Sequence, residues 1–364
     1  MVNSFFSLLS AIGLVKSSSI SLNGTANNAV SNTNNNGNWP EPEPCTGNCT
    51  FIHDPSIIKR EDGTFFRFST NGNIAIASAP SMTGPWEYLG AMLPEGSVIQ
   101  VTENQEIWCP DVFLINDTYY AYYAVSRSGL QSSDIGVATS KTLELGTWTD
   151  HGSLGLPKSQ SYNLIDPNIF RESPSAPSIY FAFGSAWHGI YQTQLSWQNP
   201  LSQSDEIGSG AKNVAYNDTN PASSDTLAIV EGGFQFWWPV NDIKYYYLFF
   251  SSGACCNDAD DLAAPGDEYK IMVCRAIDPI GPFVDRDGKD CATENGGTLL
   301  LGSHGDKVYA PGGQGVILDD SEDGMGRVVL YYHYVNPIIG YKFEDFQFGF
   351  NYLDFSSGWP AVVS

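Results

Sequence analysis

The sequence predicts an all-β fold, a five-bladed β-propeller over residues 45–364. Three observations carry that reading. One short pattern recurs five times: a turn-like cluster around Asp or Pro, an apolar run, a short turn, then an aromatic strand. Repeats of this kind, each two or more strands joined by turns, are what propeller blades leave in a sequence. Helical signals are scarce. No long stretch keeps a 3.6-residue apolar period, and 36 Gly and 21 Pro interrupt the chain at short intervals. Aromatic residues make up 13% of the chain, the composition expected where large side chains fill the space between blades.

The five copies follow in order. In the first, His53-Asp54-Pro55-Ser56-Ile57-Ile58 leads through Glu61-Asp62-Gly63-Thr64 into Phe65-Phe66-Arg67-Phe68. The second is Cys109-Pro110-Asp111-Val112-Phe113-Leu114, then Asn116-Asp117, then Tyr119 to Tyr123. The third is Ile165-Asp166-Pro167-Asn168-Ile169-Phe170 with Ile179 to Phe183. The fourth pairs Glu231-Gly232-Gly233-Phe234-Gln235-Phe236 with Tyr245 to Phe250. The fifth pairs Ala310-Pro311-Gly312-Gly313-Gln314-Gly315-Val316 with Val328 to Tyr334. Counted from Asp54, Asp111, Asp166, Glu231 and Gly312, the starts are 57, 55, 65 and 81 residues apart. A chain of 364 residues can bury a large core as one such domain. The aromatic C-terminal run Phe346 to Phe355 alternates like a half-buried strand and is expected to dock beside the first or last blade.

The formal net charge is −23, from 17 Lys+Arg against 40 Asp+Glu. Phosphate binding needs a basic face, so nucleic acid and an anionic membrane surface are excluded as partners, while a neutral glycan is compatible. Ahead of the propeller, Phe5 to Val15 is an apolar run of secretory-signal length, followed by Ser17-Ser18-Ser19. Residues 1–19 therefore read as a cleaved signal peptide, although the only positive charge before the run is the amino terminus. Residues 20–44, rich in Asn, Ser, Gly and Pro, read as a flexible leader outside the fold. Sequons at Asn23, Asn48, Asn116 and Asn217 and seven cysteines agree with a secreted, extracellular protein, expected to be a monomer. Cys45 and Cys49 can close a small loop. Cys255, Cys256, Cys274 and Cys291 can form two bridges whose pairing the spacing leaves open. That makes Cys109 the odd one, a buried free thiol within Ile107-Trp108-Cys109-Pro110. No zinc site is expected, since neither the cysteines nor the histidines have ligand spacing.

Hydrolysis of a glycosidic bond needs two carboxyl groups on opposite sides of the bond. One gives a proton to the leaving oxygen, and the other activates water or attacks the sugar. A third can raise the acid's pKa by like-charge repulsion. Asp54, Asp166 and Glu231, at matching repeat positions, supply three acids at one end of the channel. Asp-Pro is also ordinary turn chemistry, but three acids in corresponding positions exceed what turns require. Asp111 follows its proline rather than preceding it and is read as structural.

Several runs together resemble glycoside hydrolase family 43, and more narrowly its fungal arabinan endo-1,5-α-L-arabinanases. They are Phe51 to Ile58, Trp108-Cys109-Pro110-Asp111-Val112, Tyr162 to Pro167, Phe183-Gly184-Ser185-Ala186-Trp187, Tyr247 to Cys256, Pro311 to Gly315, Leu330 to Tyr334 and Tyr352 to Pro360. The resemblance extends from about residue 50 to the C-terminus. It implies a five-bladed propeller and an inverting hydrolase of α-1,5-linked L-arabinan, with that polysaccharide as partner. It also implies Asp54 as general base, Glu231 as general acid and Asp166 as the orienting, pKa-tuning acid. Asn163 and Ser185 match positions that touch the sugar, with Trp108 and Trp187 as stacking or wall residues. Three departures stand out. Cys109 replaces the family's usual Ala, and the segment Gly232 to Trp238 is bulkier and uncharged. The fifth blade has Gly313-Gln314 where bacterial relatives place a His near a central metal ion. No cofactor is needed for the chemistry. A structural calcium in the central channel, held largely through water, would have Gln314 as its candidate ligand. An exo-acting arabinofuranosidase or β-xylosidase, and a non-catalytic carbohydrate-binding propeller, are the alternative readings.

Overall fold

The structure, a computed structural model, describes residues 38–185, 187–195, 199–201, 211–217, 229–256, 258–321, 324 and 326–364. Residues 1–19, expected as a signal peptide, and residues 20–37 of the expected leader lie outside these. The strands are short, as turn residues at close spacing dictate, and they form five four-stranded antiparallel sheets in strict chain order. Blade I holds β1 (Ser56–Lys59), β2 (Phe65–Ser69), β3 (Ala75–Ala79) and β4 (Glu87–Ala91). Blade II holds β5 (Glu106–Ile115), β6 (Thr118–Ser126), β7 (Asp134–Ser140) and β8 (Thr149–Ser153). Blade III holds β9 (Asn168–Phe170), β10 (Ile179–Ser185), β11 (Gly189–Leu195) and β12 (Lys212–Ala215). Blade IV holds β13 (Val230–Val240), β14 (Ile243–Ser252), β15 (Lys270–Ala276) and β16 (Thr298–Leu301). Blade V holds β17 (Tyr309–Asp319), β18 (Arg327–Val335), β19 (Gln347–Asp354) and β20 (Ala361–Val363).

The second strand of a blade buries both faces, because each sheet packs between two neighbours. In β6, Tyr119, Ala121, Tyr123 and Val125 point into the cluster shared with blade I. Tyr120 and Tyr122 point into the one shared with blade III. β14 divides the same way, with Tyr247 and Phe249 facing blade V and Tyr246, Leu248 and Phe250 facing blade III. Period-2 side-chain alternation with two apolar faces gives continuous aromatic runs in place of apolar–polar alternation. The fifth cluster joins Ile52, Ile57 and Trp86 of the first blade's end to Tyr331, Phe348, Phe350 and Tyr352 of the last.

The ring is sealed at that fifth interface. Residues 43–52 run along the part of β19 that β20 does not reach. The N–H of Glu43 donates to the Phe350 carbonyl, that of Phe51 to Phe346, and that of Phe348 to Cys49. The C-terminal run does form a strand of the last blade, but it is buried on both faces rather than half-buried, because it too packs between neighbouring sheets. The leader boundary at residue 44 needs correcting. Trp39 packs against the cluster between blades IV and V, His304 bonds the Pro40 carbonyl at 3.0 Å, and Asn351 Nδ2 donates to the Glu41 carbonyl at 2.9 Å. Its apolar ring is what draws this end of the leader onto the domain.

The repeat starts also need correcting. Asp54, Cys109, Asp166, Gly232 and Gly313 share a left-handed backbone, with φ of 43°, 49°, 53°, 63° and 57°. These five are the equivalent positions, so Cys109 and not Asp111 opens the second copy. In β5, β13 and β17 the strand register shifts across this point, and such bulges re-aim side chains. Two residues further on, polar side chains stitch one inner strand to the next. Ser56 Oγ accepts the Val112 N–H at 3.1 Å, Asp111 Oδ2 that of Ile169 at 2.7 Å, and Asn168 Oδ1 that of Gln235 at 3.0 Å. Asp111 is therefore a buried interblade tie, with its carboxyl pushed up to about 6 by burial, against hydrogen bonds from Ile169, Ser56, Asn168 and Val112 that favour the ionised form.

Candidate active site

The inner ends of the blades enclose a cleft of about 820 Å³, lined by Asp54, Trp108, Asp166, Glu231, Tyr269 and Gln314 among others. The three acids that the repeats single out are thus brought together. Asp54 keeps a 26% exposed side chain. Its Oδ2 accepts the Thr70 hydroxyl at 2.9 Å and the Cys109 thiol at 3.3 Å, and its N–H donates to His333 Nδ1 at 3.0 Å. Burial lowers the pKa of His333 to about 3, so the ring is neutral. Nδ1 is then the acceptor, and its 3.5 Å approach to Asp54 Oδ1 is no ion pair. The proton sits on Nε2, which is buried without a hydrogen-bond partner.

Asp166 is 8% exposed and accepts the Gly232 N–H at 3.1 Å, directly after Glu231. Burial raises the Asp166 pKa well above the ordinary carboxyl range, and the charges of Glu231 and Asp54 raise it further. Glu231 is pushed up to about 7, first by burial and then by Asp54, against a hydrogen bond from the Tyr269 hydroxyl at 2.9 Å that favours the ionised form. Burial and neighbouring carboxyl charges thus favour the protonated forms of Asp166 and Glu231. A proton donor, Glu231, and the partly exposed Asp54 therefore face one cleft. Cys109, the free cysteine, has its thiol pKa raised by burial and by Asp166 and Asp54, so it is a protonated hydrogen-bond donor rather than a nucleophile.

The remaining expected residues divide. Trp108 lines the cleft, one position ahead of Cys109 as Glu231 is of Gly232. Asn163 is buried, 3% exposed, with Nδ2 on the Leu130 carbonyl at 3.4 Å, and it is not on the cleft wall. Trp187 lies in the turn between β10 and β11, off the cleft wall, and Ser185 ends β10 with a side chain outside the described set. Gln314 is committed to the protein: Oε1 accepts the Ser251 hydroxyl at 2.7 Å and Nε2 donates to the Gly232 carbonyl at 2.6 Å. Among the described residues no group of three or more His, Cys, Asp or Glu is placed to hold a metal. The residues present do not fit a channel calcium ligated by Gln314; its amide bridges blades IV and V instead. Three disulfides form, Cys45–Cys49, Cys255–Cys256 and Cys274–Cys291, which resolves the pairing that spacing left open.

Thr70, Tyr269 and His333 were not legible as site residues. They reach the acids across 16, 38 and 279 residues of chain. Only the run around His333 carried a family echo.

The profile of "Glycosyl hydrolases family 43" matches residues 48–360, most of the chain. The chain belongs to glycosyl hydrolases family 43. It is an enzyme of the glycosidase class. An "Arabinan endo-1,5-alpha-L-arabinosidase A" of Aspergillus aculeatus is 48% identical over 327 residues, 89% of this chain and 94% of that protein. A "Probable arabinan endo-1,5-alpha-L-arabinosidase A" of Aspergillus fumigatus is 47% identical over the same shares. Among solved structures, a family 43 endo-arabinanase from Bacillus licheniformis superposes with a TM-score of 0.70 at 28% identity, covering 87% of this chain and 99% of that one. An exo-1,5-α-L-arabinanase from a bovine ruminal metagenomic library also gives 0.70, at 26% identity, covering 86% and 97%. This glycosyl hydrolase thus has the all-β five-bladed propeller that its repeats predict.

Proposed function

We propose that this family 43 enzyme hydrolyses α-1,5-linked L-arabinan internally, with inversion, outside the cell. The observation that carries the reading is the three-carboxyl cleft in a chain 47–48% identical, over 89% of its length, to fungal enzymes named for that activity. Glu231, protonated up to about pH 7, gives its proton to the leaving oxygen. Asp54, whose side chain is 26% exposed on the cleft, takes a proton from the attacking water. Asp166 holds Gly232 and so the backbone beside Glu231, and shares in the proton economy of the pair. Inversion requires room for water between base and sugar, a carboxyl separation of roughly 6.5–9.5 Å. Three disulfides and the apolar N-terminal run support export to an oxidising compartment.

The test is reducing-sugar release from debranched arabinan, beside xylan and nitrophenyl arabinoside, with NMR of the first-released anomer. Arabinan cleavage with an inverted anomer is expected. Preference for xylan, or a retained anomer, would sink the substrate or the mechanism respectively. Exo action is a second reading, because the solved exo- and endo-acting enzymes superpose equally well. Product sizes early in the reaction separate the two: mixed oligosaccharides for endo, one short product for exo.

A further inference from the structure

The cleft rim carries two side chains that acid–base chemistry does not need. Phe51 and Phe343 line the cleft while 41% and 47% exposed, and no other exposed large apolar side chain among the described residues lines it. Their rings meet edge to face at 5.8 Å between centroids. One face of Phe343 stacks on His53 at 3.6 Å and 13°, and the His53 Nε2–H donates to the Phe343 carbonyl at 2.9 Å. His53 directly precedes Asp54. The two phenylalanines come from opposite ends of the chain and meet where blade V closes on blade I.

Phe51 also has φ +67°, a left-handed conformation that a bulky side chain rarely adopts. It is held there from both sides. Its N–H donates to the Phe346 carbonyl and its own carbonyl accepts from Asn71 Nδ2, each at 2.7 Å. A strained backbone that keeps a phenyl ring in water works against stability, and such features gather at functional sites.

We propose that Phe51 and Phe343 form a sugar-stacking subsite across the propeller seam. It takes an uncharged furanosyl unit of the polysaccharide beyond the one being cleaved, on the Asp54 side of the cleft. A furanose ring offers an apolar C–H face that packs on an aromatic face or edge. The chain's net charge of −23 favours a neutral polymer over an anionic one. This subsite rests on the arabinan reading and deepens it: a polymer reaches it, and the shortest cleavable oligosaccharide does not.

The experiment compares kcat/KM on debranched arabinan with kcat/KM on the shortest cleaved arabino-oligosaccharide, together with Tm. The variants are Phe51→Asn, which suits a left-handed backbone, Phe343→Leu, which keeps apolar cover on His53, and Phe343→Tyr. For Phe51→Asn and Phe343→Leu the polymer-to-oligomer ratio should fall about tenfold, the size of one lost aromatic contact. It should fall through KM, with Phe343→Tyr restoring most of it and the Tm of Phe51→Asn not below the parent. An unchanged ratio in both variants would overturn the subsite, as would equal losses on both substrates accompanied by a lower Tm. Should the parent be inert on arabinan, the arabinan reading falls on its own. The subsite is then judged by the same ratio on the polysaccharide that the parent does cleave.

Discussion

Replacing Gly313 by Ala should disable the enzyme without touching an acid. Gly313 has φ +57°, and a Cβ built on it would stand 2.5 Å from Asp54 Oδ1 and 2.6 Å from His333 Nδ1. Ordinary contact begins near 3.4 Å, so something must retreat by about 1 Å. His333 cannot, because its ring lies against His53, Tyr269 and Phe346. The displacement falls on the Asp54 carboxylate, which Thr70 and Cys109 hold from the other side. Misplacing a catalytic group by about 1 Å costs on the order of a hundredfold in rate. The left-handed alanine adds about 1–2 kcal/mol of strain, and crowding about 1–3 kcal/mol more. Gly232→Ala is the control. Its φ is +63°, but the nearest atoms to its Cβ are 3.7 and 3.9 Å away, so only the backbone strain applies. Saturating turnover on debranched arabinan and Tm measure both variants. Gly313→Ala should lose about a hundredfold in kcat, and Gly232→Ala about fivefold at most. A Gly313→Ala enzyme within about threefold of the parent would refute the reasoning, as would a folded Gly232→Ala equally impaired.

Further outcomes follow from the same geometry. Asp54→Asn, Asp166→Asn and Glu231→Gln should each fold and lose roughly a hundredfold or more in kcat; near-parental turnover in any one removes its assigned role. Because Glu231 must be protonated to act and titrates at about 7, kcat/KM should decline as pH rises through that value, and a profile flat across it would contradict the assignment. The folded state binds that proton more tightly than an ordinary Glu at 4.5, so ionising Glu231 weakens folding as pH rises from 4.5 to about 7. Glu231→Gln should therefore gain more Tm at about pH 8 than at about pH 4, and equal gains would mean the burial penalty is absent. Deleting residues 345–364 removes β19 and β20 and takes Phe348, Phe350 and Tyr352 from the interface with blade I. At roughly 1.5–3 kcal/mol each this approaches the whole stability of a domain, so unchanged Tm and activity would place the closure elsewhere.

What was legible in the sequence follows from what repeats. The aromatic runs at Tyr119–Tyr123 and Tyr245–Phe250 announce strands buried on both faces, and their number announces the blades. Asp54 and Asp166 stand out because each precedes a proline at a repeat start. The second start was misplaced by two residues because Asp111 carries a carboxylate and Cys109 does not. The bulge between Trp108 and Asp111 supplies the extra residues, and Pro110, which follows Cys109 as Pro55 and Pro167 follow the two aspartates, is the mark in the sequence that points to it. Glu231 is likewise one position ahead of the equivalent Gly232. Contacts between blades, such as Tyr269 on Glu231 or His333 on Asp54, depend on ring closure. A linear pattern does not record them.

The ring is nearly five-fold in backbone and far from five-fold in chemistry, and the difference is arranged around Asp54. Its neighbours at the equivalent position are Cys109 in blade II and Gly313 in blade V. Neither is charged. The first donates a thiol hydrogen bond to Asp54, and the second lacks the Cβ that would collide with it. Asp166 and Glu231, in the adjacent blades III and IV, by contrast both have their pKa raised, first by burial. An Asp at 109 would put a carboxylate where a hydrogen-bond donor now faces Asp54, and any side chain at 313 would move it. Cys109 and Gly313 are therefore as much a part of the site as the three acids. They set Asp54 apart from the proton-holding Asp166 and Glu231, the asymmetry that acid–base cleavage across one bond requires.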